Sequence, residues 1–581
     1  MAIVPAQPVG RLWGPYKPPK RPWSPARSAF TTEAPRYAIL SAYSKASHGR
    51  HGGYDQEGLD VSSTLDSQDE SIDDAAFHVE QRGIDFIPEA ERWATARNIG
   101  SLWAGTSINV EYFVYGALLM GFGFSFKTAL SIIIIGNLSY LLLGLASLQG
   151  QETGTTAFMI SRAPFGLRGS RLLSFFNWIT QLGFETEGLI LIVGAAIVLS
   201  DMGGMHVSST LKVIFIIAAA AIQAVMPYFG HATMIKVLRA MIIPFGAIFV
   251  LFAVYDIMHG SGSYKTTFGG WELYTAGLAF TIALSGLGWT EVGNDYTRYL
   301  PRDAKRSSVV GWIFLSTALP EILMMTLGAL TFTFIPKGGY FASSGAWNSA
   351  NPFQAFEGQH VIPSWIVVLF LIFAIVQLFG INSLDLYSSG VSLQAMGLRL
   401  KRYQAVVLDS FIACGLTIWA EFQSTFSLYM KEFVGVIIVW IAPWFGIFLC
   451  DWLMRKYRYN AAEMQRTDSE GLYYGSAGGV NWNAIVAFFV GLVCSTIAYS
   501  KAPPPVNFPF HWMTPISNHY GAFFCNGTTA ANCGPAGWFG GADFSVPAGI
   551  IIGALVYWVL EKATGYVGQQ VKRQKELEPA S

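Results

Sequence analysis

The chain has 581 residues, of which 52% are hydrophobic and only 13% are charged. An ordinary soluble domain carries roughly a quarter charged residues, whereas uncharged runs of about 18 residues or more are typical of membrane spans. Lys plus Arg and Asp plus Glu cancel at 37 each, which excludes a strongly basic chain built to bind nucleic acid. The composition therefore indicates an all-α polytopic membrane protein.

The chain begins with a long polar segment. Residues 1–98 are rich in Pro, Ser, Arg and Asp without sustained periodicity, which predicts a disordered cytoplasmic tail. A transporter domain is predicted over 99–562, followed by a short cytoplasmic tail over 563–581. The hydropathy pattern predicts twelve transmembrane helices in that domain, at about 100–120, 128–148, 172–200, 210–227, 237–257, 273–293, 308–335, 363–396, 405–420, 433–453, 483–500 and 546–561.

The basic residues are unevenly distributed among the predicted loops. With the N-terminus inside, the five cytoplasmic loops hold 16 Lys and Arg, and the six external connections hold 6. The positive-inside rule therefore predicts that both termini are cytoplasmic, in a multi-pass protein of the plasma membrane. The longest external loop, 501–545, contains Cys525 and Cys533, which either form a disulfide there or stay free thiols.

Two predicted spans are interrupted in the same way. The first contains SLWAGTSINVE over 101–111, and the sixth contains SGLGWTEVGND over 285–295. Each places Gly and hydroxyl residues in mid-membrane beside a Trp and a carboxylate. Such breaks in corresponding positions of two halves indicate a transporter binding site, although glycines also permit close helix packing.

Acidic residues without basic partners are the second sign of a transport site. The spans contain eight acids, Glu111, Glu185, Glu187, Glu291, Asp295, Glu321, Asp385 and Asp409. No Lys or Arg falls within the predicted membrane core, so each acid must be protonated, hydrated, cation-bound or near the interface. Gln181 and Glu185 are four residues apart and share a helix face, which predicts a substrate-facing polar wall.

Several stretches, in colinear order over about 80–570, resemble the nucleobase:cation symporter-1 (NCS1) family, and most closely its purine–cytosine permease branch. They are RGI at 82–84, SRAPFG at 161–166, WTEVGNDYTRYLP at 289–301, PWFGI at 443–447 and GVNWN at 479–483. The resemblance implies the LeuT-type fold, with two inverted repeats of five helices (about 99–257 and 273–454), two extra helices (about 483–561) and helices 1 and 6 broken.

The resemblance also implies that substrate lies between helices 1, 3, 6 and 8. Carried over to this chain, the predicted substrate-binding residues are Trp103, Gly105, Ser107, Asn109, Gln181, Glu185, Trp289 and Asn382, with Thr106 also in the first-helix break. Trp103 or Trp289 would stack on the ring of a heterocycle, and Gln181, Glu185 and Asn382 would hydrogen-bond its edges. The predicted ion-coupling residues are Glu111, Glu185, Glu291 and Asp385.

The third-helix pair departs from the family pattern of Trp with Asn or Gln. A carboxylate only accepts hydrogen bonds, so Glu185 favours a ligand edge with two N–H donors, such as guanine, or a protonated aminopyrimidine. Uracil, hydantoin and allantoin offer weaker complementarity. The residues before Asn382 lack the hydroxyls that help bind sodium in the family, which favours a co-transported proton over sodium, with no other cofactor.

The leading hypothesis is a symporter that imports a purine, cytosine or related nucleobase by alternating access. The alternatives are a carrier of allantoin, hydantoin, uracil or a vitamin-precursor heterocycle with sodium coupling, and a transport-inactive nutrient sensor. The nine histidines lie mostly in tails and loops, which argues against a membrane enzyme or a metal centre, and no repeated pore motif indicates a channel. The expected partners are a small-molecule substrate and the lipid bilayer.

Overall fold

The computed structural model describes residues 83–259, 270–334, 351–356, 362–423, 426–499 and 542–577. Most of these residues are helical. In chain order the helices are α1 Ala96–Ser107, α2 Val110–Met120, α3 Phe126–Asn137, α4 Tyr140–Thr153, α5 Ala157–Ile160, α6 Arg162–Met202, α7 Ser209–Gln223, α8 Val225–Phe229, α9 His231–His259, α10 Gly270–Leu284, α11 Gly293–Thr297, α12 Arg306–Phe334, α13 Ser364–Ala395, α14 Arg402–Gln423, α15 Phe426–Met454, α16 Ala461–Gln465, α17 Trp482–Ala498, α18 Ser545–Thr564 and α19 Tyr566–Leu577. The predicted tail up to residue 82 and the loop with Cys525 and Cys533 lie outside the described residues.

Nine helical segments of the described ranges have the length and hydropathy needed to cross a membrane. They are Phe126–Thr153, Arg162–Met202, Ser209–Phe229, His231–Met258, Arg306–Thr333, Ser364–Ala395, Arg402–Phe422, Phe433–Met454 and Ser545–Thr564. Three shorter apolar helices accompany them, at Val110–Met120, Leu273–Leu284 and Trp482–Ala498. Each span predicted from hydropathy overlaps one of these segments. The all-helical, multi-span class predicted from composition is confirmed.

The outer surface of the bundle is apolar where a soluble protein would be polar. Ile243 on α9 is 80% exposed and Phe411 on α14 is 77% exposed. Exposed apolar side chains of this size on several helices form a surface suited to lipid tails rather than water. Asp409 of α14, by contrast, is buried and accepts a hydrogen bond of 2.8 Å from Trp178 of α6.

Small residues allow the inner helices to approach closely. A Cβ on Gly328 of α12 would lie 1.8 Å from the carbonyl oxygen of Phe113 on α2, so these two backbones are in direct contact. A Cβ on Gly553 of α18 would similarly lie 3.1 Å from the backbone of Pro443 on α15. Close backbone approach at small residues is the usual packing mode of membrane helices. The remaining large contacts are between α6 and α13, and among α15, α17 and α18.

The helical path is interrupted at the two places that the sequence singles out. α1 ends at Ser107 and α2 begins at Val110, with the Asn109 side chain accepting a hydrogen bond of 3.1 Å from the Glu111 N–H. α10 ends at Leu284, and regular helix resumes only at Gly293. The intervening turns are tied to the start of α4, because the Gly286 N–H donates to Ser139 Oγ at 3.1 Å.

Residues 83–95 pack against the bundle instead of continuing the predicted tail to residue 98. The Ile87 N–H donates to the Gly154 carbonyl at 2.9 Å, and Arg92 Nη1 donates to the Gln151 carbonyl at 2.8 Å. Arg298 donates to the Gly83 carbonyl. Burial lowers the pKa of the Arg92 guanidinium, an effect that the Glu89 carboxylate partly offsets. These contacts are between distant parts of the chain, so local composition gives no sign of them.

The C-terminal segment also packs onto the bundle, because α19 contacts a buried ion pair. Arg455 Nε donates to Asp451 Oδ2 at 2.7 Å, with both side chains fully buried, and its Nη2 donates to Gln570 of α19 at 2.6 Å. Tyr459 and Tyr557 donate to the same carboxylate at 3.0 and 2.7 Å. Burial alone would lower the pKa of Arg455, but the Asp451 carboxylate raises it above its ordinary value.

Candidate functional site

An aromatic cluster lies between the two interruptions. Trp103 of α1 meets the ring of Trp289 edge-on, with centroids 5.5 Å apart, and meets Tyr296 in the same way at 5.6 Å. The ring of Phe184 on α6 is nearly parallel to that of Trp289, with an interplanar angle of 9° and centroids 6.2 Å apart. Trp289 Nε1 donates to Tyr112 Oη at 3.1 Å. α1, α2, α6 and the segment after α10 therefore all contribute to one buried aromatic wall.

Glu185 belongs to a hydrogen-bonded group that joins three helices. Gln223 Nε2, at the end of α7, donates to Glu185 Oε1 of α6 at 2.7 Å. Asn382 Nδ2 of α13 donates to Gln223 Oε1 at 2.9 Å and to the Glu185 carbonyl at 3.2 Å. The close approach depends on Gly188, since a Cβ there would lie 1.9 Å from Asn382 Oδ1. Gln223 is thus held in one orientation by an acceptor on one side and a donor on the other.

Gln181, one turn before Glu185, connects the same face of α6 to the second interruption. Its Nε2 donates to Glu291 Oε1 at 3.3 Å, and both side chains are fully buried. The predicted residues thus form two bonded sets that meet on α6: Gln181 bonds to Glu291, and Glu185 bonds through Gln223 and its own carbonyl to Asn382.

The next carboxylate on α6 faces a different neighbour. Glu187 interacts with the Tyr115 hydroxyl of α2, which donates to Glu111. Glu185 and Glu187 therefore serve different faces of α6, and Glu187 is the one beside the helix that follows the first interruption. The phenol is hydrogen-bonded to Glu111, whereas both carboxylate oxygens of Glu187 lack a partner among the described residues; the sequence assigned a coupling role only to Glu111.

The remaining predicted residues differ in what they face. Asp385, one turn after Asn382, is buried and interacts electrostatically with Glu185 and Glu291. Ser107 is buried at the end of α1. A Cβ on Gly105 would lie 2.7 Å from the Leu238 carbonyl of α9, so this glycine permits helix packing. Thr106 donates to the Trp103 carbonyl of its own helix at 2.9 Å.

The predicted site residues leave more free acceptors than donors. Among the predicted site residues in the described part of the chain, four buried acceptor atoms have no hydrogen-bond partner, Gln181 Oε1, Glu185 Oε2, Glu291 Oε2 and Asp385 Oδ1, and a fifth, Asn382 Oδ1, lies against Gly188. The corresponding unpartnered donors are Trp103 Nε1 and Asn109 Nδ2. Buried polar groups are normally satisfied, so such a set indicates a place where a ligand or a proton completes the bonding.

The carboxylates of this site have no cationic partner. None of the ion pairs between described residues involves Glu111, Glu185, Glu291 or Asp385. Across the same ranges no three His, Cys, Asp or Glu side chains come together in an arrangement suited to a metal ion. The chemistry available here is hydrogen bonding, aromatic stacking and proton binding.

The sequence missed three members of the site. Gln223 is the one strongly polar side chain in the apolar run 213–227, which is a signal that could have identified it. Tyr112 and Phe184 are aromatic residues in apolar helices and have no such signal. Their importance comes from contacts with Trp289, which lies more than 100 positions away in the chain.

Comparison with known proteins gives a family. Residues 86–520 match the family model described as permease for cytosine/purines, uracil, thiamine and allantoin. Among curated proteins, YxlA of Bacillus subtilis is 25% identical over 500 residues, covering 83% of this chain and 96% of YxlA. The purine–cytosine permease FCY21 of Saccharomyces cerevisiae is 25% identical over 433 residues, covering 70% and 77%. The cytosine permease of Escherichia coli K12 is 25% identical over 385 residues, covering 64% and 79%.

Solved structures agree with the fold. Mhp1, a nucleobase-cation-symport-1 family transporter in a closed conformation with bromovinylhydantoin bound, superposes with a TM-score of 0.59 at 18% identity, covering 85% of this chain and 95% of Mhp1. Its inward-facing conformation gives the same TM-score at 16% identity. The resemblance to NCS1 transporters that the sequence motifs carry is confirmed, and the fold is LeuT-like.

Proposed function

The chain belongs to the NCS1 family of permeases for cytosine, purines and related compounds, and on that premise we propose that it imports an amino-substituted nucleobase together with a proton. It is a multi-span membrane transporter and not an enzyme. The substrate and the coupling ion are the new parts of this proposal.

The excess of free acceptors is the observation that carries the substrate class. Gln181 Oε1, Glu185 Oε2, Glu291 Oε2 and Asp385 Oδ1 call for N–H donors, against only two free donors on Trp103 and Asn109. Guanine presents adjacent N–H groups on one edge, and a protonated aminopyrimidine presents several. Uracil, hydantoin and allantoin offer more carbonyl acceptors, which would face like partners here. The acceptor set therefore favours aminopurines and cytosine-like rings.

The aromatic wall supplies the second requirement of a planar heterocycle. Trp103 and Trp289 would provide stacking surface, with the ring of Phe184 nearly parallel to that of Trp289. Ser107 and the backbone beside Asn109 would contribute polar groups at the first interruption. Gly105 and Thr106 would act on the substrate only through the backbone position that they set.

The proposed topology has twelve transmembrane segments. Ala96–Ser107 with Val110–Met120, and Gly270–Leu284 with Gly293–Thr297, would each be one broken span, and residues 99–257 and 273–454 would be two inverted five-helix repeats. The 16 to 6 distribution of basic residues supports cytoplasmic termini in a plasma membrane. Alternating access would then expose the aromatic wall to each side in turn.

Proton coupling is supported by buried carboxyl groups without cations. Glu111, Glu185, Glu291 and Asp385 have no ion-pair partner among the described residues, and buried acids of this kind serve as proton carriers in transporters. The residues just before Asn382, Phe379 to Ile381, offer no hydroxyl ligand for sodium. Sodium coupling is the alternative outcome of the test.

Uptake by proteoliposomes that contain the purified full chain tests both parts. We expect radiolabelled cytosine or hypoxanthine to accumulate under an inward proton gradient without sodium, with guanine competing better than uracil. Accumulation that requires sodium and survives collapse of the proton gradient would show that sodium, not the proton, is the coupling ion. Absence of competition by any nucleobase would remove the substrate class and leave the family and fold intact.

A further inference from the structure

A buried carboxyl group outside the substrate site connects three elements of the bundle. Glu321 lies on α12 directly after Pro320 and is completely buried. One carboxylate oxygen accepts a hydrogen bond from the Tyr140 hydroxyl, at the start of α4, and the other accepts from the Ser285 hydroxyl, the first residue after α10. Glu321 is therefore fixed to the point where the second interruption begins.

The surroundings of Glu321 contain acids and phenols but no described cation. The titratable groups that interact with it are Glu111 and Tyr112 from α2 and Tyr140 from α4. Glu111 is itself acidic and raises the cost of a second negative charge nearby. None of the ion pairs between described residues involves Glu321. An ionised carboxylate there is costly, and a proton is the simplest way to remove that cost.

A line of hydroxyl groups joins Glu321 to the aromatic wall. Tyr140, which donates to Glu321, also interacts with the Tyr112 hydroxyl of α2. Tyr112 Oη accepts a hydrogen bond of 3.1 Å from Trp289 Nε1. Two phenols thus lie between the Glu321 carboxyl group and a ring that would stack on the substrate, while Ser285 connects Glu321 to the same interrupted segment.

We propose that Glu321 is a proton-binding site that takes up and releases the co-transported proton, an inference that rests on the proposed nucleobase symport. When the carboxylate is ionised, the Tyr140 and Ser285 hydroxyls both donate to it. When a proton binds, the carboxyl group donates its own O–H to one of its two hydroxyl partners. If Tyr140 accepts it, the Tyr140 proton turns toward Tyr112. The proton at Glu321 therefore changes the hydrogen bonding behind Trp289.

The geometry fits a proton better than a metal cation. Hard cations take several oxygen lone pairs at once. Here the Tyr140 and Ser285 hydroxyls point their hydrogens at Glu321, so both carboxylate oxygens are already occupied by donors. A proton needs only one of these oxygens and one reoriented hydroxyl.

Infrared difference spectra of the purified full chain between acid and alkaline pH would test the site without any substrate. Several buried carboxyl groups contribute carbonyl bands, and we expect one of these bands to titrate in the wild type and to be lost in Glu321→Gln. Glu421→Gln is the matched control, because Glu421 is paired with Lys212 at 2.9 Å and should keep the band. A wild-type band in Glu321→Gln would overturn the proposal.

Tyr140→Phe keeps the carboxyl group and removes one of its donors, so it remains informative if Glu321→Gln does not fold. Its band should persist with a midpoint moved to higher pH, because a donor that stabilises the ionised form is gone. An unchanged midpoint would contradict a bond between Tyr140 and the titrating group.

Proteoliposomes with radiolabelled cytosine or hypoxanthine then test coupling. Glu321→Gln should lose accumulation under a proton gradient but retain exchange of internal for external base, which needs no net proton movement. Gradient-driven accumulation at the wild-type level would overturn the coupling role. If the wild type transports neither base while its band is lost in Glu321→Gln, the proton site stands and the proposed function fails.

Discussion

Replacing Glu185 with glutamine should invert the hydrogen-bond preference of the site at one atom. Gln223 donates to Glu185 Oε1 at 2.7 Å and is held in that orientation by Asn382, which donates to its Oε1 at 2.9 Å. In Glu185→Gln the new side-chain oxygen must take the bond from Gln223. The new amino group then occupies the position of Oε2, which is the free acceptor in the wild type. A free acceptor becomes a free donor with almost no change in shape.

The expected magnitude follows from that single exchange. A hydrogen bond to a charged group contributes about 1.5–3 kcal/mol, and about 1.4 kcal/mol corresponds to a tenfold change in affinity. The variant should therefore bind bases that present N–H groups to Glu185, such as guanine and cytosine, about ten- to a hundredfold more weakly. Bases with a carbonyl at that position, such as uracil, should lose less affinity than these, or gain affinity.

Competition against uptake of radiolabelled hypoxanthine by guanine, cytosine, uracil and hydantoin measures this preference. Glu421→Gln makes the same chemical change at a residue that pairs with Lys212 outside the site, and it should keep the wild-type order of inhibitors. If Glu185→Gln also keeps that order and those affinities, Glu185 Oε2 does not meet the substrate or is protonated there. Either result would refute the reasoning.

Three further changes test the polar group at Gln223, the ion pair of Arg455 with Asp451, and the backbone at Gly166. Gln223→Leu removes the donor to Glu185 Oε1 and the acceptor of Asn382 Nδ2, at a cost of about 1–3 kcal/mol each. Uptake assays should therefore show weaker affinity for every base, and an unchanged KM would contradict this. Arg455→Met leaves Asp451 buried without its cation, which should lower the free energy of unfolding by about 3–5 kcal/mol, seen as a lower Tm in detergent; the double variant with Asp451→Asn should regain part of it. Gly166→Ala should lower Tm through a loss of about 1–3 kcal/mol, because Gly166 has φ of 76° and a Cβ there would lie 2.8 Å from the Gly479 carbonyl; a Tm equal to that of the wild type would exclude this strain.

Much of the fold could be predicted because membrane spans are encoded locally. Length, hydropathy and charge over about 20 residues decide whether a helix can cross a bilayer, and every predicted span overlaps an apolar helix. The interruptions were visible for the same reason, since Gly and hydroxyl residues stand out in an apolar run. Helix boundaries differ in detail, as in α6, where the non-helical Gly166 separates the first residues from the long helix that contains the predicted span.

The candidate site could be predicted only in part. Gln181, Glu185 and Asn382 were predicted as a polar set; in the structure Gln223 joins Glu185 to Asn382, whereas Gln181 bonds to Glu291. The partner of each polar group lies on another helix, and no local pattern specifies which one. Gly105 was predicted as a site residue, but a glycine in a break can either line a site or allow helices to pack. Its contact with the α9 backbone is visible only in three dimensions.

The sequence by itself determined the all-helical, multi-span membrane class, the resemblance to NCS1 transporters and the surplus of acids over bases in the apolar runs. The tertiary structure decided which acid meets which donor: Glu185 meets Gln223, Glu111 meets Tyr115, and Glu321 meets Tyr140 and Ser285. The physical reason is that hydropathy is a property of a few neighbouring residues. A hydrogen bond between helices depends on the rotation and depth of both, which only the packed bundle fixes.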